Sequence, residues 1–226
     1  MIKKRIFQQF TGALACCALF VSCSHSIVAT DTSMHQPEFV EMFNGEDLSG
    51  WGGAGKTTVN GYVWEDGLLR STPKSRNLMT DREYTSYVLE FEFQLTPGAN
   101  NGLGIHYPGL GNPAYTGMEI QILDGEHRKY QGKLKDYQHH GSLYELAPAL
   151  RGHMKPAGEW NFQRVTVRGP KVTVELNGAR ILDADLDQLN QSHPDHQGAK
   201  RRAGKIAFCG HGDVIRVRNM RIAELY

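Results

Sequence analysis

Cysteine is scarce, and most of it sits at one end. The chain of 226 residues has four cysteines. Cys16, Cys17 and Cys23 lie near the N-terminus, and only Cys209 falls later. That excludes an internal disulfide framework in the body of the chain and a Cys-x-x-Cys zinc pair. Cys209 closes the apolar run Ile206-Ala207-Phe208-Cys209 and reads as a small buried hydrophobe rather than a nucleophile. An excess of one charge is also missing. With 25 Lys+Arg against 24 Asp+Glu, nothing electrostatic points to a nucleic-acid partner. Long apolar runs are absent after the first residues, and no long segment carries a helical period.

The N-terminal segment has the grammar of an export signal. Lys3, Lys4 and Arg5 precede an apolar run from Phe10 to Val21, too short to span a bilayer. The run ends in Phe20-Val21-Ser22-Cys23, which resembles a bacterial lipoprotein processing site and would leave a lipid-bearing Cys23. The expected organisation is a signal peptide over 1–22, a polar tether over 23–38 and one domain over 39–226. The expected location is exported, lipid-anchored to a bacterial outer membrane, facing the periplasm or the surface.

What is present instead is alternation and glycine. There are 25 glycines, and 9% of residues are aromatic, a mix that favours turn-rich β-structure. Val88 to Leu95 sets Leu89, Phe91, Phe93 and Leu95 on one face and Glu90, Glu92 and Gln94 on the other. Met118 to Leu123 sets Ile120 and Ile122 inward and Glu119 and Gln121 opposite. Further runs are Arg164 to Arg168, Lys171 to Leu176, Lys205 to Phe208 and Val214 to Ile222. Asn177-Gly178 reads as a tight hairpin turn, since both residues accept positive φ. The pattern predicts an all-β jelly-roll sandwich of two antiparallel sheets.

A set of short stretches, in order, covers nearly all of Phe39 to Tyr226. Phe43-Asn44-Gly45-x-x-Leu48-x-Gly50-Trp51 opens it, then Asn100-Asn101-Gly102-Leu103 and Gly117-Met118-Glu119-Ile120-Gln121-Ile122-Leu123-Asp124. Gly141-Ser142-Leu143-Tyr144, Glu159-Trp160-Asn161, Asn177-Gly178, Gly204-Lys205-Ile206, His211-Gly212 and Arg218-Asn219 follow. Together they resemble the 3-keto-disaccharide hydrolase family. The resemblance implies a concanavalin A-like jelly roll. It also implies cleavage of glycosides whose sugar carries a ketone at carbon 3, by hydrolysis or by elimination followed by hydration. A carbohydrate substrate follows, and a sugar 3-oxidoreductase as pathway partner.

A C3 ketone acidifies the C2 hydrogen, and the C1 substituent can then leave. This needs a base near C2, charge stabilisation near O3 and an acid near the leaving oxygen. A divalent metal bridging O2 and O3 would supply a Lewis acid. The candidate catalytic residues are Glu119, His140, His211 and Tyr144. Candidate substrate contacts are Gln121, Asp124, Asn101, His106 and Trp160. Glu119 and His140 are the candidate metal ligands, in an N/O set suited to Zn, Mn or Co. Trp51 and Trp64 read as core. In the segment from Asn100 to His106, Gly102 and Gly104 either admit a ligand or turn the chain. A bulge in the Glu119 strand would bring Asp124 to the polar face, which leaves open a retaining glycosidase built on Glu119 and Asp124. The same fold also serves non-catalytic lectin-like modules.

Overall fold

Alternating strands with one apolar face must bury that face against another layer, and here two sheets do it for each other. The structure, a computed structural model, describes residues 38–226. The signal segment, Cys23 and most of the tether lie outside the described residues. The strands are β1 (Val40–Glu41), β2 (Thr58–Val59), β3 (Tyr62–Glu65), β4 (Leu68–Ser71), β5 (Leu78–Met79), β6 (Tyr87–Leu95) and β7 (Asn100–Tyr107). They continue as β8 (Met118–Leu123), β9 (Asn161–Arg168), β10 (Lys171–Leu176), β11 (Ala179–Asp185), β12 (Lys205–Gly210) and β13 (Ile215–Glu224). The α-helices among the described residues are α1 (Pro113–Thr116) and α2 (Leu186–Ser192). Neither is long and apolar enough to cross a membrane.

The larger sheet has nine strands in the order β11-β10-β9-β6-β13-β4-β3-β2, with β1 added beside β13. The smaller runs β5-β12-β7-β8. All strand pairs are antiparallel, so the expected two-sheet sandwich is what forms. The core between the sheets takes Leu89, Phe91 and Phe93 from β6, Ile120 and Ile122 from β8, and Phe208 from β12. Trp51 is buried and stacks on Phe43 at 5.1 Å between ring centroids, and Trp64 packs on the same Phe43 at 4.8 Å. At the β10–β11 hairpin, Asn177 and Gly178 have φ of 50° and 88°, as a type I′ turn requires.

On the outer face of the larger sheet, alternation produces an ion-pair ladder. Glu90 is only 1% exposed, because Arg164 and Arg221 fold over it, their Nε groups donating at 2.7 and 2.8 Å. Next to it, Arg218 donates to Glu92 at 2.6 Å and lays its guanidinium 4.0 Å from the Trp160 ring centroid. Trp160 is therefore held against the outer face of the larger sheet, away from the cleft of the smaller one, and its expected place against substrate is corrected.

The segment Asn100 to His106 is a strand rather than a turn. It pairs with β12 on one side and β8 on the other, in the middle of the smaller sheet. That register decides which side chains reach the outer face.

Candidate functional site

Strand β8 supplies the centre. Its inward residues Ile120 and Ile122 anchor it to the core, so Glu119 and Gln121 must face out. Opposite them on β7 stand Gly104 and Gly102. A Cβ at Gly102 would lie 1.8 Å from Glu119 Oε1, so the missing side chain is what gives the carboxylate its place. Opposite Gly102 on β12 comes Cys209, buried below the carboxylate, with burial and the charge of Glu119 both holding its thiol neutral. The outer edge of β8 is covered by the chain at 141–144. Gln121 N donates to Ser142 O at 3.0 Å, and Tyr144 N to Glu119 O at 2.9 Å, which fixes Tyr144 beside Glu119.

His211 arrives just past β12. Its Nε2 lies 3.2 Å from Glu119 Oε1. The hydrogen bond from this carboxylate raises the His211 pKa above the ordinary imidazole value, against the opposing effect of burial. The two partners differ in access: the Glu119 side chain is 5% exposed and that of His211 41%. A buried carboxylate behind an accessible imidazole is the arrangement of a base and the group that orients it.

These residues line a cleft of about 250 Å³ with Asn100, Tyr115, Tyr130, Leu134, Gln138 and Tyr144. Two carbonyl oxygens in its wall, Gln121 Oε1 and Asn100 Oδ1, are buried without a donor. Buried acceptors of that kind need a donor, which water or a ligand hydroxyl can supply. Tyr144 is braced edge-on by Tyr137 and Tyr115 at 6.0 and 6.5 Å.

Four other expected members are placed elsewhere. His140 packs between the sheets, its ring stacked on Phe93 at 5.1 Å. Its Nε2 lies 2.9 Å from Gln163 Oε1, and Leu123 N donates to Nδ1 at 3.4 Å, so both ring nitrogens are spent. Loss of water around the ring pushes its pKa down to about 4. It therefore lacks a lone pair for metal or proton, and the expectation of a Glu119–His140 metal pair is corrected. Among the described residues no three His, Cys, Asp or Glu side chains converge on one point. The donor set at Glu119 is one carboxylate and one imidazole that are already bonded to each other, which does not fit the expected divalent ion.

Asp124 does not return to the polar face, because β7 and β8 pair from Ile105–Met118 to Asn100–Leu123 without a bulge. Its Oδ2 instead accepts from Gly98 N at 2.7 Å, closing the β6–β7 turn, and it lines a different cavity from Glu119. The carboxylate pair of a retaining glycosidase is thus not assembled. Asn101 points inward and donates to the Tyr62 hydroxyl at 3.1 Å. His106, fully buried at a β7 irregularity with φ of 50°, faces Thr85 O at 3.5 Å; burial pushes its pKa down to about 4. Both are corrections to the expected substrate contacts. Tyr115, Tyr130, Leu134 and Gln138 were not legible as cleft residues. They sit on loops whose sequence has no period, and only the path of the chain over the small sheet brings them in.

The architecture and the cleft define a class: an antiparallel β-sandwich whose smaller sheet carries a polar hollow with one His–Glu pair. The model of the 3-keto-alpha-glucoside-1,2-lyase-like domain family matches residues 38–223, and the chain belongs to that family. It is 25% identical, over 83% of its length and 78% of the relative's, to a 3-keto-disaccharide hydrolase of Bacteroides thetaiotaomicron. A crystal structure from Parabacteroides distasonis, provisionally described as a glycosyl hydrolase, superposes with a TM-score of 0.71. The two are 25% identical, and the match covers 83% of this chain and all of that one. A second protein of that organism, described in the same way, gives 0.70 at 23% identity, over 83% of this chain and 94% of that one, and shares the fold.

Proposed function

We propose that this protein cleaves 3-keto-glycosides by β-elimination at C1–C2, followed by hydration. Family membership supports a carbohydrate-cleaving enzyme. The observation that carries the finer reading is the Glu119–His211 pair in a cleft with unpartnered amide oxygens, where Glu119 is the one carboxylate among the described lining residues.

The steps use this chain's own residues. The sugar lies over Glu119 and Gln121, its hydroxyls donating to Gln121 Oε1 and Asn100 Oδ1. Neutral His211 takes the C2 proton, and the C–H electrons move into the C2–C3 bond, giving an enolate on O3. Glu119 orients the imidazole and stabilises its charge, and the imidazolium stands beside the enolate as counterion. The enolate then re-forms the ketone, its electrons make a C1–C2 double bond, and the C1–O bond breaks. The Tyr144 hydroxyl gives the leaving oxygen its proton. Water then adds across the double bond: the Tyr144 phenolate takes its proton as the hydroxyl joins C1, and the His211 imidazolium, its proton exchanged with solvent, protonates C2, which releases the free 3-keto sugar and restores both residues. No oxocarbenium ion is formed, so one carboxylate suffices. Export and a lipid anchor at Cys23 belong to the same proposal, with a sugar 3-oxidoreductase supplying the substrate.

The test is incubation with 3-keto-trehalose and with trehalose, the products followed by NMR in D2O. Cleavage of the keto form alone, with deuterium appearing at C2 of the product, is expected. Cleavage of trehalose itself, or keto-sugar turnover that keeps the C2 proton, would refute the mechanism. Binding without turnover would favour a lectin-like module.

A further inference from the structure

Outside the catalytic pair, the cleft wall holds an aromatic residue that the mechanism does not use. Tyr115 is 43% exposed, yet it lines the same hollow as Glu119, Gln121, Tyr144 and His211. An exposed tyrosine usually swings freely, but this one is fixed from several sides. Its turn, α1, begins with Pro113, and Asn112 Oδ1 accepts from Ala114 N at 3.0 Å. Thr116 Oγ1 donates within hydrogen-bond range of Leu110 O and Asn112 O, and His196 Nε2 holds Ala114 O at 2.9 Å. The ring meets Tyr144 edge-on at 6.5 Å and lies tilted against His196 at 6.2 Å.

Position along β8 says what the ring would meet. Tyr115 sits before the start of β8, and Glu119 and Tyr144 come next; Gln121 lies about 7 Å further along the strand, and Asn100, paired with Leu123, about 7 Å beyond that. If Gln121 and Asn100 grip the ketone-bearing ring and Tyr144 protonates the leaving oxygen, the group that departs lies on the Tyr115 side. A rigid, amphipathic ring with an exposed face matches the CH-rich face of a pyranose, and its immobilisation lowers the entropy cost of stacking.

We propose that Tyr115 is the stacking platform for a leaving group that is itself a pyranose, and that it sets the preference for keto-disaccharides over other 3-keto-glycosides. This rests on the β-elimination reading given above. Tyr115 is a specificity residue; it carries no proton.

The experiment compares wild type with Tyr115→Ala, Tyr115→Phe and Tyr115→Trp on 3-keto-trehalose and on methyl 3-keto-α-glucoside, which has no leaving sugar. The ratio of kcat/KM for the disaccharide over the methyl glycoside should fall about tenfold in Tyr115→Ala, mainly through KM, and recover in the Phe and Trp variants. An unchanged ratio, or a fall that Phe does not rescue, overturns the proposal. If wild type cleaves neither keto compound, the chemistry has failed but the platform is still tested. Calorimetry with unoxidised trehalose should then show binding that Tyr115→Ala loses and Tyr115→Phe keeps. Equal binding by wild type and Tyr115→Ala, or none by wild type, would overturn it.

Discussion

Replacing Glu119 by Gln separates two roles that the geometry brings within 3.2 Å of each other. Glutamine keeps the shape and still accepts a hydrogen bond from His211, but it removes the charge. If Glu119 orients His211, the loss is that of one charge-assisted hydrogen bond, about 1.5–3 kcal/mol. His211 is 41% exposed, and solvent screening brings this to the lower end, which is about tenfold in kcat. If Glu119 were itself the base, its removal would cost about 10²- to 10⁴-fold. The pH profile separates the roles further. The carboxylate raises the His211 pKa, and only neutral His211 accepts a proton. Wild-type kcat/KM should therefore fall as the pH drops through that raised value. In Glu119→Gln the cause of the elevation is gone, so the acid limb moves to lower pH while the plateau falls about tenfold. The assay is initial-rate cleavage of 3-keto-trehalose from pH 5 to 9. An acid limb that stays in place, or a loss beyond about 100-fold, would refute the assignment of the base to His211.

Two further outcomes follow from the packing. Gly102→Ala places a methyl group where Glu119 Oε1 now lies, so the carboxylate must swing away; activity should drop as in Glu119→Gln, with a stability loss of about 1–3 kcal/mol on urea unfolding. His106 and His140 are held neutral with pKa values of about 4, below the ordinary 6.5, so the unfolded chain takes up their protons first. Stability is then full above pH 6.5 and declines as the pH falls towards 4, by about 2.5 kcal/mol per histidine at pH 4.5. Urea unfolding at pH 7 and 4.5 measures this, and NMR titration of the two imidazoles should find both neutral at pH 5.5.

Strand periodicity survives in one dimension, which is why so much of the sandwich was legible. The alternation of Leu89, Phe91 and Phe93 with Glu90 and Glu92 depends only on the two-residue repeat of the backbone, and so does the outward pairing of Glu119 with Gln121. The Asn177-Gly178 turn is set by local φ preference. The choice among histidines had no such support. His140 and His211 look alike in the chain, each beside a glycine, but one is wedged on Phe93 between the sheets and the other stands over Glu119. Asp124 depended on a bulge that the regular β7–β8 register does not contain.

The amino-acid order alone thus determined the layers, the hairpin turn and the face on which Glu119 sits, because these follow from nearest-neighbour geometry. The cleft was decided by the tertiary structure. Asn100, Tyr115, Tyr144 and His211 come from four separate parts of the chain, and their meeting depends on strand register and loop paths that only the packed sheets fix.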